Sequence, residues 1–305
     1  MNSNLVSAID FSAYNKYVDS QITSFSELNS SAIDPHDNKK LCKVVNHIRQ
    51  NGQREEAIAY ISTLSGITDT LACGATLDLV ARLMVMLEIG CLEKPFGFIH
   101  QTGPRPLILW SEGTLTNLTA EHFPISRQQD CNMTAMNPKF DAWGLENIAG
   151  IKIEFTDNLV DHLRLTNNNA QLYIFHHVAY LDQQRHSSAS QNSLLPEGLA
   201  EETLRTLAVF FPQSDYCGSL RSTYRKRVWL ERLYAYSTKT VDPQLTWCGT
   251  PSIEGRQLAN FRYWKERLLI IKEEYGHLTP PKPPKLGKWL RDRKNEDSGI
   301  TSGSP

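Results

Sequence analysis

The chain has 305 residues, 40% of them hydrophobic and 21% charged, with a formal net charge of −1 at pH 7. These values are typical of a globular protein with one large or two small domains, and they exclude a molecule that attracts nucleic acid or anionic lipid through its overall charge. The six cysteines include no C-x-x-C pair and the polar N-terminus shows no signal-peptide pattern, so we expect reduced thiols in a cytoplasmic or nuclear protein.

The first third of the chain is predicted to be a polar arm followed by helices. Residues 1–35 are rich in Ser and Asn, with a helical stretch around Phe11–Val18. Short helices are predicted over LCKVVNHIRQ, which ends at Asn51-Gly52, and over REEAIAYISTL. A third helix, from about Thr68 to Ile89, is apolar nearly all round but contains charges, which favours a buried core helix over a membrane span. Two apolar runs around Gly103-Pro104 predict a hairpin.

The stretch over residues 150–181 organises the second half of the chain. Alternating apolar and charged residues over Ile151–Phe155 predict a strand with one buried face. A short capped helix follows, with Leu163 on its core side, and a polar turn leads to a second strand, Leu172–Val178, which is apolar on both faces. Because successive strand side chains alternate, we expect His176 and His177 to point to opposite faces.

Helices are also predicted after this unit. Residues 183–192, QQRHSSASQN, are predicted to be an exposed loop. A helix then begins at Pro196 with three glutamates, Glu197, Glu201 and Glu202, near its positive end. The next helix covers about Ser222–Tyr236, and the last covers Glu254–Tyr275 with one continuous apolar face. Residues 36–278 are therefore predicted to form the globular domain, with a sub-boundary near residue 95 as an option, and residues 279–305 a Pro-rich basic linker and disordered tail.

The predicted fold class is α+β, predominantly α-helical, with a small sheet around Ile151–Phe155 and Leu172–Val178. The segments TDNLVDHLRL and LYIFHH, together with LLPEGLAEETLRTLAVFFPQ and FRYWKERLLIIKEEY, resemble the core of a large family of uncharacterised filamentous-fungal proteins. The resemblance covers the second half of the chain well and the first half loosely, and it implies architecture but no catalytic residues. Family members continue after a basic block like Leu286–Asn295 into C-terminal transmembrane helices. The printed sequence continues instead into NEDSGITSGSP, so we expect no transmembrane segment.

A polar helix face is the candidate for chemistry. Asp157, Asp161, His162 and Arg164 belong to the predicted helix after the first strand, and at most one of His176 and His177 can face it. Three convergent nitrogen and oxygen ligands would suit a metal ion and a metal-assisted hydrolase. A purely structural role, in which Asp161 pairs with Arg164 beside hydrogen-bonded core histidines, is favoured. The reason is that no H-E-x-x-H, G-x-S-x-G or P-loop motif is present. We predict no cofactor and no metal.

A basic surface is the candidate for binding. Its members are Arg221, Arg225, Lys226, Arg227, Lys288, Arg291 and Arg293. The first four lie on the predicted helix Ser222–Tyr236 or at its start. This helix either binds phosphates or, as we favour, is a surface helix with Trp229 and Leu233 facing the core. The best interpretation is a non-enzymatic intracellular interaction protein with a protein partner. The basic tail allows weak peripheral contact with anionic membranes, and nucleic acid is disfavoured.

Overall fold

The architecture in the computed structural model is α+β and predominantly helical, as predicted. The structure describes residues 9–28, 30–50, 52–90, 108–126, 135–188, 193–217 and 221–278. The helices are α1 Ser12–Leu28, α2 Asn38–Arg49, α3 Arg54–Ser65, α4 Thr70–Val85, α5 Leu115–His122, α6 Ala142–Asn147, α7 Val178–Ser188, α8 Leu199–Phe210, α9 Gln213–Cys217, α10 Arg221–Tyr236 and α11 Lys265–Leu278. Short 3-10 turns lie at Leu159–Asp161, Pro243–Trp247, Glu254–Arg256 and Leu258–Asn260.

A three-stranded mixed sheet lies within the helices. Its strands are β1 Lys152–Thr156, β2 Arg164–Thr166 and β3 Gln171–Phe175, in the order β1-β3-β2. The central strand β3 pairs in parallel with β1, with Phe155 opposite Ile174, and antiparallel with β2. Parallel pairing places the carboxyl ends of β1 and β3 at the same edge of the sheet, where their following residues meet.

Helix α4 is confirmed as a buried core helix. Leu77 and Leu79 are fully buried, and Asp69 caps the first turn by accepting a hydrogen bond from the backbone of Leu71. Helix α1 contacts it through the hydroxyl of Tyr14, which donates to the carbonyl of Leu83 at 2.7 Å. Among the described helices, none combines the length and the apolar character that a membrane crossing requires.

The N-terminal segment packs more closely than predicted. Helix α1 runs to Leu28, and Tyr17, Ile22 and Phe25 on it are buried. This part of the predicted arm therefore belongs to the folded body. These three residues lie five and three positions apart, and the many Ser and Asn residues between and around them weaken the helical pattern. A periodicity argument therefore underestimates this helix.

Local structure differs from prediction in the central unit. The predicted helix after β1 is only the 3-10 turn Leu159–Asp161, after which the chain enters β2. Leu163 is buried, as predicted, but with a φ of 60°, because the chain must turn sharply between the 3-10 turn and the strand. Strand β3 ends at Phe175 rather than Val178.

Three C-terminal predictions also change. Most of the predicted loop 183–192 belongs to α7, which extends to Ser188. Helix α8 begins at Leu199 rather than Pro196, after Gly198 with a φ of 79°. The predicted helix Glu254–Tyr275 is two 3-10 turns followed by α11, although Phe261 and Trp264 are buried as its apolar face requires. The predicted hairpin around Gly103-Pro104 and the tail 279–305 lie outside the described residues.

Candidate functional site

Asp157, His176, His177 and Lys239 form the candidate site, here called the Asp157 cluster. Asp157 directly follows β1, and the two histidines directly follow β3, so all three lie at the shared carboxyl edge of the parallel pair. Lys239 comes from the loop after α10. Ligands commonly bind at this edge of parallel strands in open α/β sheets, so the position of the cluster is that of a typical binding site.

One carboxylate holds the cluster together. Nε2 of His177 lies 2.7 Å from Oδ1 of Asp157, and Nε2 of His176 lies 3.3 Å from the same oxygen, an electrostatic contact that falls short of hydrogen-bond geometry. The ammonium of Lys239 forms an ion pair with Oδ2. The imidazoles are buried and their centroids lie 4.1 Å apart, whereas Lys239 is 44% exposed. Lys239 therefore covers the solvent side of the cluster.

The charges in the cluster follow from burial and pairing. Burial alone would raise the pKa of the Asp157 carboxyl, but contacts from His176 and His177 and the charge of Lys239 outweigh burial and hold that pKa well below its ordinary value. Burial, together with the neighbouring His177, lowers the pKa of His176 to about 4. At neutral pH the cluster thus contains the Asp157 carboxylate and a neutral His176.

The proton of His176 sits on the nitrogen that faces Asp157. The backbone N–H of Asp242 donates to Nδ1 of His176 at 3.2 Å, so Nδ1 supplies the lone pair and the neutral ring carries its proton on Nε2. A metal-bound histidine shows the opposite arrangement, with its second nitrogen donating a hydrogen bond. A metal ion at Nε2 of His176 would require the ring proton on Nδ1 and would therefore break the hydrogen bond from Asp242.

The Asp157 cluster is still the single group of His, Cys, Asp and Glu in the described ranges whose ligand atoms could share one ion. One ligand atom from each of Asp157, His176 and His177 lies within 4.8 Å of the others. Nδ1 of His177 is buried without a hydrogen-bond partner in the described part of the chain. The arrangement nevertheless suits a hydrogen-bonded, charge-balanced cluster better than a metal centre, because the proton of His176 faces Asp157 and Lys239 already balances the charge of that carboxylate.

The other residues of the predicted polar face do not join the cluster. Asp161 accepts from the side chain of Asn158, and its Oδ1 lies 3.3 Å from Nε of Arg164, which is the predicted pair. His162 is fully buried and uses both ring nitrogens: Nδ1 accepts from the backbone of Phe175 at 3.1 Å, and Nε2 lies 2.7 Å from the hydroxyl of Thr206. Asp157, Asp161 and His162 therefore make separate contacts, because a 3-10 turn does not place them on one helix face.

The expectation that His176 and His177 face opposite ways is wrong. Both contact the same oxygen of Asp157, because β3 ends at Phe175 and the two-residue alternation ends with it. Lys239 and Asp242 were missed by the sequence argument. They lie more than sixty residues beyond the histidines in the chain, and nothing in their local pattern distinguishes them from an ordinary loop after a helix.

The predicted basic surface lies partly on α10. The helix packs on the core through Trp229 and Leu233, as favoured, and Nε1 of Trp229 donates to Glu146 at 2.7 Å. Arg225 and Arg227 are exposed. Lys226 instead forms ion pairs of 2.6 Å with both Asp141 and Asp215. The side chain of Arg221 and all of Lys288, Arg291 and Arg293 lie outside the described residues.

A polar cavity of about 900 Å³ lies elsewhere, between α3 and α5. Its lining includes Glu55, Glu56, Glu112 and Glu121, and no member of the Asp157 cluster. The cluster is therefore not the floor of this cavity.

Comparison with known proteins supplies no relative: no family model, curated protein or solved structure matches the chain.

The buried histidines should make the protein sensitive to mild acid. A histidine whose folded pKa is lowered adds stability that is complete above its unfolded pKa of about 6.5 and is lost as pH falls toward the folded value. For His176, with a folded pKa of about 4, the loss should amount to about 3 kcal/mol between pH 6.5 and 4. His162, whose pKa burial also lowers, acts in the same direction.

Urea midpoints measured from pH 7 to pH 4 test this expectation. Burial raises the pKa of the Asp141 and Asp242 carboxyls, so their protonation near pH 4 favours the folded state and offsets part of the loss caused by the histidines. The effect of His176 is therefore measured by comparing the decline in stability between variants. His176→Gln should show a smaller decline than the parent chain, and His186→Gln, at an exposed position, should follow the parent. Equal declines in all three would contradict the assignment.

Proposed function

We propose that the protein is a non-enzymatic interaction protein that binds an acidic segment of a partner protein on the outer face of α10. The supporting observation is the composition of that face. Its exposed residues include three arginines and two tyrosines: Tyr224, Arg225, Arg227, Arg232 and Tyr236. Tyrosine and arginine are among the residue types most enriched at the energetic centres of protein interfaces.

The three arginines are available to a partner. In the described part of the chain, none of Arg225, Arg227 and Arg232 forms an ion pair with a carboxylate, whereas the adjacent Lys226 is held between two aspartates. Arg227 lies 6.0 Å from the ring of Tyr224 and makes a cation–π contact with it. Tyr236 is 86% exposed. Exposed charge without a carboxylate partner and exposed aromatic surface therefore occur together on one helix.

The face is carried by a firmly held helix. Lys226 ties the first half of α10 to Asp141, which caps α6, and to Asp215 in α9. Trp229 donates to Glu146 and stacks on Phe211 at 6.5 Å. A helix fixed on its inner side needs no ordering of its backbone when a partner binds its outer side, which favours recognition.

The number of basic residues on this face favours a protein partner over nucleic acid or a membrane. Stable attachment to an anionic membrane uses clusters of about four to eight basic residues, and salt-dependent DNA binding commonly uses about six to ten phosphate contacts. The outer face of α10 offers three described arginines, with Glu231 among them. A protein interface, by contrast, takes most of its binding energy from a handful of residues, among which arginine and tyrosine are common.

A metal-assisted hydrolase using Asp157, Asp161 and His162 has less support. Asp161 is paired with Arg164, both nitrogens of His162 are occupied inside the fold, and Asp157 already carries Lys239. Each of these contacts explains its residue without substrate or metal.

Binding of a poly-glutamate peptide tests the proposal, with an anionic phosphatidylserine vesicle and a DNA duplex as competing probes. The variant Arg225→Glu/Arg227→Glu/Arg232→Glu should lose peptide binding. The matched control Lys39→Glu/Lys43→Glu/Arg49→Glu makes the same charge change at exposed positions of α2 and should retain it. Equal loss in both variants, or α10-dependent binding of vesicle or DNA in preference to peptide, would overturn the proposal.

A further inference from the structure

The outer face of α10 contains a straight row of three residues. Arg225, Arg232 and Tyr236 follow one another at intervals of seven and four, and all three are exposed. An α-helix turns about 100° per residue, so seven residues bring Arg232 to within about 20° of Arg225, at a rise of about 10 Å. Tyr236 continues the row about 6 Å further on.

Arg227 lies off this row. Two residues beyond Arg225, it is rotated by about 200°, which places it at the opposite edge of the exposed face, where it contacts Tyr224. The two arginines of the row can therefore meet one ligand along the helix axis, whereas Arg227 cannot join them in a narrow contact.

We infer that the partner segment is an acidic helix with two carboxylates seven residues apart and an apolar residue about one turn beyond the second. This rests on the proposed function. A helix lying along α10 repeats its rise, so carboxylates at i and i+7 also stand about 10 Å apart on one face. Side chains on one face of an extended strand stand about 6.6 or 13 Å apart, a backbone spacing that matches the row less well. The apolar residue covers Tyr236.

Packing geometry agrees with this partner. Helix axes pack at about 8–10 Å, a distance that arginine side chains span to reach a carboxylate bidentately. Glu231 is exposed and lies about one turn beyond Arg227, on the same side of the helix. Its negative charge disfavours an acidic ligand that shifts from the row toward Arg227. The arrangement thus selects for one lateral position of the partner.

Two synthetic helical peptides of identical composition test the inference on the full chain by NMR titration. One carries its glutamates seven residues apart, the other five apart, which rotates the second carboxylate to a different face. The seven-spaced peptide should bind about fivefold more tightly, since one exposed ion pair is worth up to about a factor of five. Arg225→Glu and Arg232→Glu should each weaken its binding at least fivefold.

Arg227→Glu, with the same charge change on the same helix, should weaken binding less than either variant of the row. The matched control is Lys43→Glu at an exposed position of α2, outside the face, which should alter the affinity less than twofold. Equal binding of the two peptides, or an equal effect of Arg227→Glu and Arg232→Glu, would overturn the row while leaving acidic docking on α10 intact. Failure of poly-glutamate to bind at all would remove the proposed function itself, so the two failures are distinguishable.

Discussion

Glu202→Ala should lower the free energy of unfolding by about 3–5 kcal/mol, the range found when one member of a buried, charge-assisted contact is removed. Glu202 is 1% exposed and accepts three consecutive backbone N–H groups, from Arg262 at 2.7 Å and from Tyr263 and Trp264 at 2.8 Å. These groups directly precede α11, where the helix dipole also favours an anion. Alanine would leave all three donors without this acceptor, and the N–H of Trp264 would be left so in a buried position.

The adjacent Glu201 provides the control for that measurement. Its side chain is 45% exposed and lies 3.3 Å from Arg185, an exposed ion pair that should contribute less than about 1 kcal/mol. Urea midpoints at constant m-value should therefore separate the two variants clearly. Similar midpoints for Glu201→Ala and Glu202→Ala would refute the role given to the buried carboxylate.

Asp157→Ala should cost about 3 kcal/mol or more, because it removes the carboxylate that accepts from Nε2–H of His177 and interacts electrostatically with Nε2–H of His176, and both groups would stay buried. Asp157→Asn should cost less, since a carboxamide oxygen can still accept from His177 but no longer balances Lys239. Thermal and urea unfolding of both variants measure the difference.

Lys239→Ala is the matched control for the cluster, since it removes the exposed partner of the same carboxylate. Its side chain is 44% exposed, so its loss should cost less than about 1 kcal/mol. If Lys239→Ala destabilises the protein as much as Asp157→Ala does, the ion pair rather than the imidazole contacts holds this edge of the sheet together.

The sequence predicted burial better than it predicted local geometry. Phe261, Trp264, Leu268 and Ile271 are buried as their spacing requires, yet the first two precede α11. An apolar residue every three or four positions satisfies a 3-10 turn as well as an α-helix. The pattern therefore identifies the buried face and leaves the backbone conformation open.

Long-range polar partners were beyond sequence reasoning. Glu202 was assigned, with Glu197 and Glu201, to the start of its own helix, but its carboxylate is used sixty residues further along the chain. The Asp157 cluster depends in the same way on Lys239 and Asp242. A helix start attracts carboxylates for a local reason, and the same residue type is required wherever a distant chain segment presents free N–H groups. Only the fold decides between the two.

All three strands of the sheet come from one short stretch of the sequence, and this has a consequence for the order of folding. Residues 152–175 contain all three strands, and paired positions of β1 and β3, such as Lys152 and Gln171, are nineteen residues apart. Closing so short a loop costs little chain entropy, so this unit should form early. The stacking of Tyr14 in α1 on Tyr180 in α7 joins positions more than 160 residues apart. Docking of α1 should therefore come late, and its release should be among the first local openings of the native protein.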